Sequence, residues 1–182
     1  MLFRSLNTIA GLVRDHRNQA AVNMVVGLSE LLRRALEDSH RTEVTLAEEV
    51  EYLQRYIDIQ KVRFGDRLNV DVDIPGELLH AQVPSLLLQP LVENAIKHGI
   101  SRRVAGGSIR VVAACMERTL CLTVANDGTC TQEDLDATRT GVGLANLRSR
   151  LQLLHAERSD LVLQRARGEG VEVVVTLPLK GS

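Results

Sequence analysis

The stretch Leu87-Leu88-Gln89-Pro90-Leu91-Val92-Glu93-Asn94-Ala95-Ile96-Lys97-His98-Gly99 sets a dense group of polar residues beside an apolar helix. At helical spacing Leu91, Val92, Ala95 and Ile96 supply apolar faces, while Asn94, Lys97 and His98 share another. Glu93 and Lys97 stand four apart and can pair. Asn94 offers a neutral carbonyl oxygen to a hard cation such as Mg²⁺, which keeps several waters and takes other ligands from phosphates. Lys97 and His98 can face phosphate oxygens. The same spacing also describes a solvated face with one ion pair, so the stretch points to a site only in company. The helix is predicted over 86–98, with Pro90 inside it and Gly99 as its stop.

Two further stretches supply that company. Val124-Ala125-Asn126-Asp127-Gly128 ends a strand with a polar residue that could read the amino group of a base. Gly128 would let the chain pass closely under a ligand, although Asn-Asp-Gly is also a common turn. Gly141-Val142-Gly143-Leu144-Ala145-Asn146-Leu147-Arg148-Ser149-Arg150-Leu151 is a glycine-rich loop running into a helix. Such a helix start presents free N–H groups and the positive end of the dipole to an anion. Asn146 lies in its first turn. The bland alternative is an ordinary helix start, with Arg148 and Arg150 further along it as surface arginines.

Around these stretches the chain has two textures. Residues 1–64 are helical in period: Leu6, Ile9, Ala10 and Val13 mark one face, then Ala21, Met24, Leu28, Leu31 and Ala35 another. Val25, Leu32 and Leu36 widen the second stripe, as in a bundle or dimer. Residues 37–43 form a polar break, and Thr45-Leu46-Ala47-Glu48 is a capping box that opens a new helix ended by Gly65-Asp66. From residue 68 alternation takes over. Strands are predicted at 68–74, 109–115, 120–125, 161–164 and 171–177, the second and third as a hairpin, with a loop at 128–143 and a helix at 144–154. The order is helices first, then a mixed α+β layer.

Composition closes off several functions. The 182 residues carry 22 Lys+Arg against 23 Asp+Glu, a near-neutral balance without the field of a general nucleic-acid binder. Aromatics are 2%, too few for base-stacking platforms. Cys115, Cys121 and Cys130 are too scattered for a disulfide framework or a metal site, and free thiols in a reducing cytosol are expected. No apolar run approaches the ~20 residues of a membrane span, and no signal peptide or membrane contact is expected.

In combination these motifs closely resemble the ATP-binding domain of the histidine kinases, which has the Bergerat (GHKL) fold. Leu46-Ala47-Glu48-Glu49-Val50-Glu51-Tyr52-Leu53 with Ile59-Gln60-Lys61-Val62-Arg63-Phe64 resembles the segment preceding that domain in one family, the sensor kinases that partner LytTR-type response regulators. The resemblance covers essentially the whole chain. It implies an α+β chain: a helical dimerisation segment over 1–66, then a GHKL ATP-binding sandwich over 67–182. Asn94 would ligate Mg²⁺, with Glu93 beside it as a polarising base, and Lys97 and His98 would sit near phosphates. Asn126, Asp127 and Gly128 would hold adenine. Gly141, Val142, Gly143 and Leu144 would close over the phosphates, with Asn146 in the same nucleotide-binding set and 129–140 as a mobile lid. The implied function is Mg-ATP binding and transfer of the γ-phosphoryl group to a histidine, for relay to a response regulator. Dimerisation through the first helices and a cytoplasmic location follow, the parent kinase being membrane-anchored in most of the family. The alternative is a non-catalytic nucleotide-sensing or dimerisation module of the same fold.

Two departures qualify the resemblance. The family's adenine-reading Asp falls at Asn126, whose amide accepts a hydrogen bond without charge assistance, which weakens adenine selection. A shift of one residue would give the role to Asp127, and both assignments stay open. Leu2-Phe3-Arg4-Ser5-Leu6-Asn7 matches the tail of the family's Pro-His-Phe-Leu-Phe-Asn-type acceptor stretch, with Arg4 where Asn is usual. Aligned so, the acceptor falls immediately before Met1, and His16, His40, His80, His98 and His155 all lie in other contexts. The expectation is an excised fragment, or a version that lost its acceptor, which binds Mg-ATP without labelling itself.

Overall fold

Two hydrophobic periods build two kinds of layer. The computed structural model describes residues 2–37, 41–101, 103–128, 141–166 and 170–179. The expected lid at 129–140, Cys130, His40 and the Gly168-Glu169 turn lie outside them. Helices α1 (Leu2–Arg14) and α2 (Asn18–Glu37) meet at a turn in which His16 takes a positive φ of 57°. Met24, Leu28 and Leu31 of α2 are buried against α3 (Leu46–Phe64). Gly27 permits the close approach, since a Cβ there would lie 3.2 Å from Ile59. On α1, Ser5 and Leu12 are buried, Ile9 is half-buried, and Leu6 and Val13 of the expected apolar face are about half exposed. Within one chain α1 has too few neighbours to cover its whole stripe. The widened side of α2 is likewise outward, with Val25, Leu32 and Leu36 exposed.

The capping box forms as expected: Thr45 accepts from the Glu48 N–H (3.2 Å), and the Glu48 carboxylate accepts from the Thr45 N–H (2.8 Å). Arg41 grips the same carboxylate at 2.7 Å, and these contacts hold its pKa down at about 2. At the other end Gly65 takes φ 57° and donates its N–H to the Lys61 carbonyl. Just before the box, residues expected to be irregular form β1 (Glu43–Thr45), which pairs antiparallel with β3 (Gln82–Pro84). Three-residue strands are too short to show alternation.

The main sheet contains β2 (Leu68–Asp73), β4 (Gly107–Met116), β5 (Thr119–Asn126), β6 (Asp160–Arg165) and β7 (Val171–Pro178), in the order β2-β4-β5-β7-β6. Only β2 and β4 run parallel. One face buries Ile109, Val111, Leu120, Leu122, Val124, Val173 and Val175. Helices α4 (Leu88–Ala95) and α5 (Val142–His155) cover that face, giving a two-layer α+β sandwich.

The predicted 86–98 helix is shorter and ends differently. It is α-helical over Leu88–Ala95 and then widens into a π-type turn over Ile96–Ile100, which runs through Gly99. Pro90 is tolerated because it lies in the first turn, where N–H groups have no helical partner. Those unpaired N–H groups are met from α3: Glu49 accepts from Leu86 (2.6 Å), Leu87 (2.7 Å) and Leu88 (2.9 Å). Glu49 is 3% exposed, and burial pushes its pKa up against the pull of these donors and of Arg150. Arg150 donates to the Leu86 carbonyl at 3.0 Å, fixing the same corner from α5.

Glu49→Ala leaves three N–H groups at a buried helix start without an acceptor, and is expected to lower unfolding stability by about 3–5 kcal/mol in urea titrations. Glu48 gives a pH signature. Its folded pKa is depressed from 4.5 to about 2, so its contribution is present above pH 4.5 and lost as pH falls towards 2. Urea midpoints measured across that window should fall less steeply for Glu48→Gln than for the parent.

Candidate functional site

The π-type turn carries the polar end of α4 to the glycine loop. Glu93, Asn94, Lys97 and His98 line a cavity of about 360 Å³, facing Gly141, Val142, Gly143 and Leu144. Two stretches more than forty residues apart thus form opposite walls. Leu86, Gln89 and Pro90 complete the α4 side and were not singled out in the sequence as ligand-facing. Their apolar context resembles any helix start, so only the placement of α4 reveals them. The glycine loop leads directly into α5: Gly141 is its extended N-cap, with no side chain to satisfy the first N–H groups. Such a start leaves donors and a positive dipole end for an anion. Lys97 and His98 across the cavity favour the same charge.

The other nucleotide-binding candidates lie apart from this lining. Asn126 is 7% exposed, on the buried face of β5 between Ile109 and Val171. Oriented to satisfy both neighbours, its Nδ2 donates to the Val171 carbonyl (3.3 Å) and its Oδ1 accepts from the Gly128 N–H (3.0 Å). Asp127 is held elsewhere: its Oδ1 accepts from the Ser108 N–H (2.9 Å) and from Arg103 (3.3 Å). Gly128 and Gly99 pass at close quarters, since a Cβ on Gly128 would meet the Gly99 Cα at 2.8 Å. A Cβ on Gly99 would meet the Asn126 amide at 2.4 Å. These glycines therefore bring the end of β5 against the π-type turn, whatever passes over them. Asn146 is exposed on α5.

Arg148 and Arg150 hold the fold. Arg148 donates to the Leu161 carbonyl (3.3 Å), tying α5 to β6, and Arg150 reaches Leu86. Among the described residues, no group of three or more His, Cys, Asp or Glu could hold a metal ion. The amide oxygen of Asn94 is the donor that suits a hard cation whose other ligands are water and phosphate. No helix of the described residues is long and apolar enough to cross a membrane.

Comparison with known proteins gives this geometry a family. Residues 81–181 match the family model described as histidine kinase-, DNA gyrase B-, and HSP90-like ATPase, and residues 1–68 match the histidine kinase model. The chain is 32% identical over 181 residues to the sensor histidine kinase YesM of Bacillus subtilis, covering 98% of this chain and 31% of that protein. It is 38% identical over 149 residues to the sensor histidine kinase BtsS of Escherichia coli, covering 82% of this chain and 26% of that one. The chain therefore spans less than a third of the length of these relatives. In fold it is similar to the histidine kinase domain of the blue-light activated kinase of Erythrobacter litoralis, with a TM-score of 0.58 at 24% identity over 88% of this chain and 75% of that one. With a helical segment, an α+β sandwich and a cleft between α4 and a glycine loop, the chain belongs to the histidine kinase-, DNA gyrase B- and HSP90-like ATPase family.

Proposed function

We propose that the cleft binds Mg-ATP and that the chain transfers the γ-phosphoryl group to a histidine of the intact kinase, for relay to a response regulator. The observation that carries this is the meeting of Asn94, Lys97 and His98 with Gly141–Leu144 around one cavity. Asn94 would hold Mg²⁺, which when bound supplies charge neutralisation on the triphosphate. Lys97 and His98 orient phosphate oxygens, and the start of α5 donates N–H groups to them. Glu93 is the carboxylate placed to take a proton. Asn126 reads adenine through the second lone pair of Oδ1, at the end of β5 beside Gly99. Asp127 is bound to Ser108 and Arg103, and so supports the reader from behind. Gly128 and Asn146 complete the nucleotide-binding set.

The division into a helical dimerisation segment over 1–66 and a catalytic domain over 67–182 is supported by the change from helices to sheet at Leu68. Homodimerisation through α1 and α2 is supported by the exposed Leu6, Val13, Val22, Val25, Val26, Leu32 and Leu36. A regulator of the LytTR type and a cytoplasmic position beside a membrane-anchored parent follow from the family resemblance. A non-catalytic nucleotide sensor is the second reading, favoured by one observation: Asn126 already spends both ends of its amide on backbone neighbours.

Calorimetry with Mg-ATP tests the first step. Asn94→Ala is expected to weaken binding more than tenfold, at least about 1.4 kcal/mol. An unchanged affinity would remove Asn94 from the site. Phosphotransfer to an added helical partner bearing the acceptor histidine then separates kinase from sensor, since a sensor binds ATP and transfers nothing. For the base reader, Asn126→Ala should reduce ATP affinity more than Asp127→Ala. Loss confined to Asp127→Ala would move the role by one residue.

A further inference from the structure

Beside the corner held by Glu49 and Arg150 lies another cavity, of about 270 Å³. Its walls are the chain entering β1, the chain leaving β3 and the second half of α5. Ser85 is 3% exposed, and its Oγ has no hydrogen-bond partner among the described residues. The Nε of Arg150 is likewise buried without a partner, although Nη2 of the same guanidinium donates to the Leu86 carbonyl. A buried polar atom left unmet is costly, and two such atoms belong to side chains lining one space. Arg41 brings a second guanidinium, and no acidic side chain is among the described residues that line the cavity. The remaining wall is aliphatic: Leu86 and Leu154 are half-buried, and Leu153 is 86% exposed.

We propose that this cavity is a binding site for a short, branched aliphatic carboxylate. One carboxylate oxygen accepts from the Arg150 Nε–H and the other from the Ser85 hydroxyl, so both orphaned atoms are met by one group. Arg41 is already gripped by Glu48, and the Glu49 charge acts on Arg150. The anion is therefore recognised by charge-assisted hydrogen bonds more than by net charge. The Glu49 oxygens accept from the N–H groups of Leu86, Leu87 and Leu88. The aliphatic tail lies on Leu86, Leu153 and Leu154 and takes the exposed leucine out of water. A water molecule would meet the two polar atoms but leave Leu153 uncovered. The cavity falls below the roughly 300 Å³ at which pockets for drug-sized ligands begin, so its occupant has few heavy atoms. Of the residues lining the nucleotide cleft it shares Leu86 alone, and the proposal does not depend on what that cleft binds.

The probe is sodium isovalerate, titrated at neutral pH into the full nitrogen-labelled chain and followed by amide shifts, with sodium chloride holding the ionic strength constant. Saturable shifts at Thr42, Ser85 and Arg150 are expected. Acetate, which lacks the branched tail, and isovaleramide, which lacks the charge, should each bind at least fivefold more weakly. Ser85→Ala and Leu153→Ala should each weaken isovalerate binding at least threefold. Ser85→Ala should melt no lower than the parent, because the hydroxyl it removes has no partner, and Leu153 is exposed in the folded chain. A loss of affinity in these variants therefore reports the site and not the fold. Shifts that do not saturate, or that centre on Lys97 and His98 in the nucleotide cleft, would overturn the proposal. So would isovaleramide or acetate binding as tightly as isovalerate, or unchanged affinity in both variants.

Discussion

The Glu49 carboxylate sits where the two layers of the molecule meet. Helix α4 begins with N–H groups that have no helical partner, and burial denies them water. Glu49 reaches across from α3 and accepts from Leu86, Leu87 and Leu88 at 2.6–2.9 Å. A carboxylate this deeply buried is tolerable only because three donors and the nearby Arg150 offset its desolvation. Arg150 also holds the Leu86 carbonyl, while Leu86 itself takes a positive φ of 55°. That conformation is uncommon for a side chain of its size and persists because both flanking elements hold it. The wall of the nucleotide cleft is thus aimed by a residue of the helical segment and by one from the helix behind the glycine loop.

From that anchor α4 acts as a partition. Its outer end turns Glu93 and Lys97 toward two cavities, one bounded by the glycine loop and one by α1 and α3. The widened turn over Ile96–Ile100 shifts the helix phase just where His98 and Gly99 must meet different neighbours. Gly99 lies against Asn126, and Gly128 against Gly99, so sheet and helix touch without intervening side chains. The core around this contact is aliphatic. Tyr52, Tyr56 and Phe64 are all buried in α3, at the seam between layers. The scarcity of rings is thus a matter of place: they sit at the junction rather than beneath the sheet.

Much of this was legible in the chain itself. The Thr45–Glu48 box, the alternation of β2, the β4–β5 hairpin and the β6–β7 pair rest on local spacing, and local spacing needs no partner. Glu93, Asn94, Lys97 and His98, and the loop at 141–144, were legible for the same reason. The β1–β3 pair was not, because three residues carry no period. Nor was the work of Asn126, Asp127 and Gly128. Their side chains and close contacts depend on Gly99, Ser108, Arg103 and Val171, which are remote in sequence. The contacts of Arg150 were not legible either, because helical spacing does not show that Leu86 and Glu49 lie against its face.

By itself the sequence determined which residues share a helix face or a strand face, where α3 starts and stops, and which motifs place the chain among the histidine kinases. The period of a helix or strand is set by backbone geometry, and a motif is a fixed local spacing, so both survive without knowledge of the fold. Tertiary structure alone decided which of those faces are covered, that the end of α4 opens into a π-type turn, and that one pair of charged side chains borders two cavities. Coverage and cavities arise from elements distant in the chain, and their cost or gain depends on what each polar atom meets after packing.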